Sequence, residues 1–386
     1  MLTDQKKDEK LKVLLAAPLP PPDYGGIANW TRIVRGVLGD QPNIDLRIYD
    51  TTARYRAVTN RSLAVRWVGG SIQAIRDSWR IYREMKNNRP DLLHLCTSGG
   101  PATLKDAIIL RVSKWLRVPS IIHYRMGRLP AIITDRGVEW KLTRCAMCLA
   151  DVVIPLDKTS ESKIRTALPH VNILKLPNMV EIEDIDRICR QRPALPPCPE
   201  GSVRLVFAGH IIPTKGIREL VLACMQVEDK RLCLDLLGPY DPGFLAEIQR
   251  IASTARNDNW LRYPGSVDHD EAVRNIANAD IFVLPSYTEG MPNVILEAMA
   301  CGRAILGTTV GAVPEMLDIG GPQECGVCVP PRDVAALADA LRRLLGNPDL
   351  RRQFGLKARQ RAEELYSVPV ACAQLVRLWH SLRRRN

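Results

Sequence analysis

Two glutamates, Glu289 and Glu297, stand with seven residues between them in a segment that runs from Ser286 to Gly302. The apolar run Ile281-Phe282-Val283-Leu284 just before it reads as a buried strand. Pro292 suits the first position of a helix. The spacing therefore predicts Glu289 on a strand-to-helix loop and Glu297 about a turn and a half down the helix. Amides at such a helix start form a ready site for phosphate, and Glu297 can accept bonds from the two hydroxyls of a ribose. Taken singly, each glutamate reads as ordinary surface charge. A second segment runs Phe207-Ala208-Gly209-His210-Ile211-Ile212-Pro213-Thr214-Lys215-Gly216, again with a strand ending and a helix beginning. There Lys215 can neutralise a diphosphate, and Gly216 lets the backbone come close. Nearer the N-terminus, Gly25 and Gly26 follow the first strand and open a helix, so either a phosphate approach or a plain glycine turn fits them. His123 ends another strand, where an imidazole either meets a sugar hydroxyl or is a satisfied core residue.

These residues need strands to carry them. Runs rich in Val, Ile and Leu are expected as strands at 11–17, 46–49, 92–96, 120–123, 152–154, 171–174, 203–208, 232–237, 281–284 and 304–306. Helical patterns at 63–86, 103–116 and 139–150 alternate with the first set, which is the mark of parallel sheets covered by helices. Three more helical stretches follow, at about 334–345, 350–365 and 369–384. A chain of 386 residues, 46% apolar, holds material for two domains. Four prolines within 193–199 resist both helix and central strand. The reading is thus a first domain over 1–190, a linker over 191–201, a second domain over 202–367, and a helix at 368–386 that returns to the first. Open α/β sheets bind ligands beyond the carboxyl ends of their strands, so two such domains would share a cleft.

The 286–302 segment and its flanks resemble the retaining glycosyltransferases of family four, whose architecture of two Rossmann-like domains is called GT-B. Two glutamates around a Gly-x-Pro-Asn core, followed by an Ala-Cys-Gly turn, are here Glu289, Glu297, Gly290-Met291-Pro292-Asn293 and Ala300-Cys301-Gly302. The likeness extends from Tyr263-Pro264-Gly265 to Gly311-Ala312-Val313-Pro314-Glu315. It implies an α/β GT-B fold, two doubly wound domains facing a central cleft, and sugar transfer from a nucleotide diphosphate-sugar donor. It implies catalytic roles for Glu289, His123 and Lys215. It also implies a donor site made by Gly209, His210, Lys215, Gly290, Met291, Pro292, Asn293, Val294 and Glu297. Gly25 and Gly26 become the acceptor-side loop. His210 departs from the arginine usual in the family, since imidazole lacks the fixed charge and bidentate fork of guanidinium. Pro177-Asn178-Met179 resembles a Pro-Asn-Gly turn without its glycine, and Asn178 reads as structural. The acceptor expected is a glycan or a lipid-linked sugar, in surface polysaccharide or glycolipid synthesis. A nucleotide-sugar epimerase or hydrolase of the same fold, or a non-catalytic adaptor, are the rival readings.

Charge marks the first half as different. The chain carries 54 Lys plus Arg against 42 Asp plus Glu, net +12, and residues 1–190 hold 31 of the basic and 20 of the acidic groups. Nine basic residues fall within 51–90, interleaved with Trp67, Ile72, Ile75, Trp79 and Tyr82. That pattern suits either an anionic membrane surface or a helix with its apolar residues in the core. Nucleic acid is an unfavoured partner, because no recognised binding module accompanies the arginines. No apolar run reaches the ~18 residues of a membrane span, and Pro18 cuts short the only stretch resembling a signal peptide. Eleven scattered cysteines suggest a reducing compartment, so a cytoplasmic location is expected, with a peripheral place at the membrane. Asp184/Asp186 and Asp268/Asp270 have the spacing of acidic pairs but read as helix-start groups, and the two Cys-x-x-C spacings lack paired zinc knuckles. No metal and no cofactor are therefore expected, and dinucleotide and ATP-binding fingerprints are absent.

Overall fold

The computed structural model describes residues 10–20, 26–52, 63–100, 102–191, 198–254 and 260–383, with side chains of 63–71 left aside. Contacts divide the chain into two compact units, Met1–Pro177 with Ala371–Asn386, and Asn178–Val370. The first contains a parallel sheet of β1 (Leu11–Ala17), β2 (Ile44–Asp50), β3 (Leu92–Thr97), β4 (Ser120–Tyr124) and β5 (Val152–Ile154), in the order β2-β1-β3-β4-β5. Strands β3 and β4 are buried along their whole length, as strands covered on both faces must be, while the edge strand β2 is mostly half-exposed. Helices α1 (Gly26–Leu38), α2 (Leu63–Asn88) and α3 (Ala102–Trp115) supply the first crossovers. Ile81, Met85, Ile109 and Leu110 from these helices join Leu93, Leu95 and Ile122 in one apolar core.

The second unit has a parallel sheet of β6 (Val203–Ala208), β7 (Leu232–Leu237), β8 (Leu261–Gly265), β9 (Ile281–Leu284), β10 (Ala304–Thr308) and β11 (Val327–Val329), ordered β11-β10-β9-β6-β7-β8. The chain runs outward from β6 to β8, then returns and runs the other way from β9. Strand order therefore reverses between β6 and β9, and the loops after those two strands part at a topological switch point. The first unit reverses in the same manner between β1 and β3.

Several expectations are corrected. Residues 171–174 form no strand; Ile173 makes only an isolated bridge to Val153. β8 was not foreseen, being a short strand at a sheet edge. The boundary expected at 191–201 lies inside the second unit, because residues 178–191 are already bound to it. Val180 N–H donates to Tyr366 O at 2.9 Å. Arg359 also forks onto Asp186 through Nη1 and Nη2 at 2.6 and 2.9 Å. Residues 192–197 of the proline-rich stretch lie outside the described residues. The last helix, Val368–Ser381, contributes residues from Ala371 onward to the first unit. Asp268 caps its helix by accepting from Glu271 N–H at 2.7 Å, and Asp184 pairs with Arg187.

Candidate active site

The loops after β6 and β9 carry the predicted residues of the second unit, and two of them meet. Lys215 Nζ lies 2.6 Å from Glu289 Oε1, with side chains 26% and 13% exposed. The loops are stitched together by Tyr287 N–H, which donates to Thr214 O at 2.9 Å. Gly216, at φ +69°, permits this approach: a side chain there would overlap the carbonyl oxygen of Pro285. Gly311, at φ +53°, plays the same part behind Glu289 and Gly290, and Ala312 N–H then donates to Gly290 O at 2.7 Å. The pair is thus held by backbone on two sides.

The helix Asn293–Ala300 begins directly after this loop, with Pro292 at its cap position and no side chain bonded to its first amides. Its free N–H groups and positive pole favour an anion. Asn178 fixes the approach to that helix, donating from Nδ2 to Met291 O at 2.7 Å and to Asn293 Oδ1 at 2.9 Å. Asn178 is therefore structural, as its sequence setting suggests. Met291 is 6% exposed, its sulfur 3.1 Å from Asn178 N, so its side chain is directed into the protein. Gly209 and the exposed His210 follow β6, on the loop that leads to Lys215.

Glu297 has a partner that sequence reasoning missed. His269 Nε2 lies 3.2 Å from Glu297 Oε1, and Nδ1 lies 3.4 Å from Asp270 Oδ1. The bond to Glu297 raises the imidazole to about 9, with Asp270 adding to it. The only signal was a histidine in a cap sequence, Asp268-His269-Asp270, where the aspartates drew the attention.

His123 belongs to the first unit, at the end of β4. It is fully buried, with its Nδ1 3.2 Å from Nε2 of His94 and its ring edge-on to Trp30. Burial and the Arg125 cation lower its basicity well below the ordinary histidine value. Gly26 opens α1 and is exposed; Gly25 lies outside the described residues. Arg54, Arg56 and Arg61 also lie outside them, and the side chains of Arg66 and Trp67 are not described. On α2, Gln73, Asp77, Ile81 and Met85 form the buried face, whereas Ile72, Ile75 and Trp79 are 58%, 72% and 54% exposed. The reading of these three residues as core is thereby corrected.

Two Rossmann-like sheets, one with a lysine–carboxylate pair and an open helix start at its switch point, give the chain the GT-B fold. Solved structures agree on the fold. Sucrose-phosphate synthase from Thermosynechococcus elongatus matches 96% of this chain and 98% of its own, with a TM-score of 0.72 at 18% identity. Anabaena HepE in complex with UDP and glucose matches 96% and 100%, with a TM-score of 0.66 at 17% identity. Residues 202–347 match the family described as glycosyl transferases group 1. MMP alpha-(1->4)-mannosyltransferase of Mycolicibacterium hassiacum is 33% identical over 184 residues, 47% of this chain and 44% of the relative. The chain thus spans about half the length of this curated relative.

Proposed function

We propose that the protein transfers a sugar, with retention at the anomeric carbon, from a nucleoside diphosphate sugar held by the second unit. The acceptor is a glycan or lipid-linked sugar, as in surface polysaccharide or glycolipid synthesis. The observation that carries this reading is the Lys215–Glu289 pair at the switch point, beside the uncapped helix start at Asn293. A diphosphate seated there meets the Lys215 ammonium and the amides of Asn293 and Val294. Both stabilise the charge that gathers on the phosphate as the bond from the anomeric carbon to the phosphate oxygen breaks. The acceptor oxygen forms its bond on the same face, and its proton passes to the departing phosphate. Glu289 contacts the sugar and Glu297 the ribose, with His269 Nε2 3.2 Å from the Glu297 carboxylate. Lysine and helix terminus supply the positive charge that the leaving group needs, so the scheme uses no metal ion. HepE, of the same fold, was solved with UDP and glucose, which supports a nucleotide-sugar donor.

The exposed face of α2 supports a membrane-bound acceptor. Ile72, Ile75 and Trp79 are joined there by Leu104, Ile108 and Trp115 of the neighbouring α3, the last 71% exposed and stacked on Tyr82. Arg83 lies over the Trp79 ring at 4.8 Å. Aromatic and aliphatic groups set among cations suit anionic headgroups, and no described helix is long and apolar enough to cross a membrane.

The test is a panel of nucleotide sugars, read first by thermal shift and then by transfer to lipid-linked and glycan acceptors. A donor that raises the melting temperature and whose sugar appears on an acceptor with retained configuration is expected. Free sugar released without acceptor dependence would indicate a hydrolase, and no nucleotide binding at about millimolar concentration an adaptor. Binding to anionic liposomes is expected to weaken with salt and with Arg76, Arg80 and Arg83 changed to Glu.

A further inference from the structure

We infer that Trp379 and His94 act together as positioning residues, forcing His123 to present an Nε2–H donor to an oxygen of the bound substrate. The argument is one of hydrogen-bond direction. An indole N–H donates and never accepts. Trp379 Nε1 lies 3.0 Å from His94 Nδ1, so that nitrogen carries no proton. His94 is fully buried, and burial together with the Arg125 cation keeps it uncharged, its basicity lowered to about 3. Its single proton must therefore sit on Nε2, which lies 3.2 Å from His123 Nδ1. His123 Nδ1 is then the acceptor, and the proton of this second neutral imidazole sits on its own Nε2.

That last N–H is buried and has no hydrogen-bond partner among the described residues. A core histidine that merely packs has both nitrogens satisfied, as His94 does; His123 has one donor left over. Buried donors are rarely left unpaired. A second orphan stands two residues along: Arg125 Nη1 is buried without a partner, its guanidinium over the Trp30 ring at 4.8 Å. Two donors with nothing to donate to, both against Trp30, mark a place for ligand oxygens. The identity of that ligand as a sugar-bearing substrate rests on the function proposed above.

His94, Cys96 and His123 also bring three potential metal-ligating atoms within 4.8 Å of one another. The indole argues against an ion there. Ligation through His94 Nε2 would move the proton to Nδ1 and set it head-on against the Trp379 N–H.

The experiment is long-range proton–nitrogen correlation NMR on the full-length, histidine-labelled protein, which distinguishes the two tautomers directly. His94 and His123 are both expected as neutral Nε2–H forms in the wild type. Trp379→Phe keeps an aromatic ring, though a smaller one, and removes the donor; mixed tautomers at both histidines are expected. Sugar transfer should then fall about fivefold in kcat/KM, the worth of one neutral hydrogen bond, with UDP affinity unchanged. His94→Gln retains an amide donor toward His123 and should keep the His123 tautomer, whereas His94→Leu should lose it. An Nδ1–H form of His123 in the wild type, an unaltered tautomer in Trp379→Phe, or stoichiometric bound zinc would each overturn the inference. The wild-type spectrum decides even where a variant fails to fold. It also decides independently of sugar transfer, so failure of the relay and failure of the proposed reaction remain distinguishable.

Discussion

Replacing Glu289 by glutamine separates a donor-binding pair from an ordinary ion pair. In the free protein the carboxylate holds Lys215 at 2.6 Å, with both side chains partly exposed. A diphosphate arriving at Lys215 must displace that carboxylate or tolerate its charge. Unit charges about 4 Å apart interact by about 4 kcal/mol at an effective dielectric of 20. Solvent reaching the pair reduces the net effect to about 1 kcal/mol. Glu289→Gln should therefore bind UDP about fivefold more tightly while sugar transfer falls about 100-fold, because the carboxylate proposed to contact the reacting sugar is lost. Lys215→Met, which keeps the aliphatic stem, should weaken UDP by about tenfold to 100-fold. Isothermal titration with UDP, GDP and ADP in turn, alongside a transfer assay, measures both quantities. Equal weakening of nucleotide binding in the two variants would refute the reasoning and make the pair a brace between loops.

Three other perturbations read different parts of the second unit. Asp235 is fully buried between Arg204 and Arg262, at 2.7 and 2.5 Å, so Asp235→Asn leaves a buried guanidinium uncompensated. It should cost about 3 kcal/mol and lower the thermal midpoint by roughly 6–12 °C. The His269 imidazole, raised to about 9 by Glu297, contributes stability that is complete below about 6.5 and is lost as pH rises through about 9. Because this side chain is 54% exposed, the effect is about 1 kcal/mol, and urea unfolding at about pH 6 and 10 should show it in wild type but not in His269→Gln. Gly216→Ala places a methyl group against the Pro285 carbonyl in a left-handed conformation. It should cost about 2 kcal/mol or more, measured by the same urea titration, with weaker UDP binding by calorimetry.

The second unit was the more legible in sequence. The strands at 203–208, 232–237 and 281–284 have the bounds that their apolar runs predict, because central parallel strands are buried on both faces and read as unbroken hydrophobic stretches. β8, Leu261-Arg262-Tyr263-Pro264-Gly265, escaped that criterion: an edge strand tolerates both a proline and an arginine. The boundary escaped for another reason. Prolines at 193–199 announce a loop, but only tertiary contacts, such as Arg359 on Asp186, show which unit the preceding helix serves. At the site, Lys215 and Glu289 were foreseen separately from their loops; their meeting follows from strand order, which no local pattern encodes. His94 lies in Leu92-Leu93-His94-Leu95-Cys96, where an apolar strand disguises it as filler. Its significance depends on Trp379, almost three hundred residues away in the chain.

That distance has a consequence for how the molecule is made. The first unit is assembled from both ends of the chain, its sheet from the N-terminal part and the Trp379 helix from the C-terminal part, with the whole second unit between them. Synthesis delivers the sheet well before the Trp379 helix, so His94 waits for its partner until the whole second unit has been made. A fragment ending at Pro177 would bear an unfilled groove where Ala371, Leu375 and Trp379 belong. The second unit, by contrast, is one unbroken stretch and can mature while the other is still open.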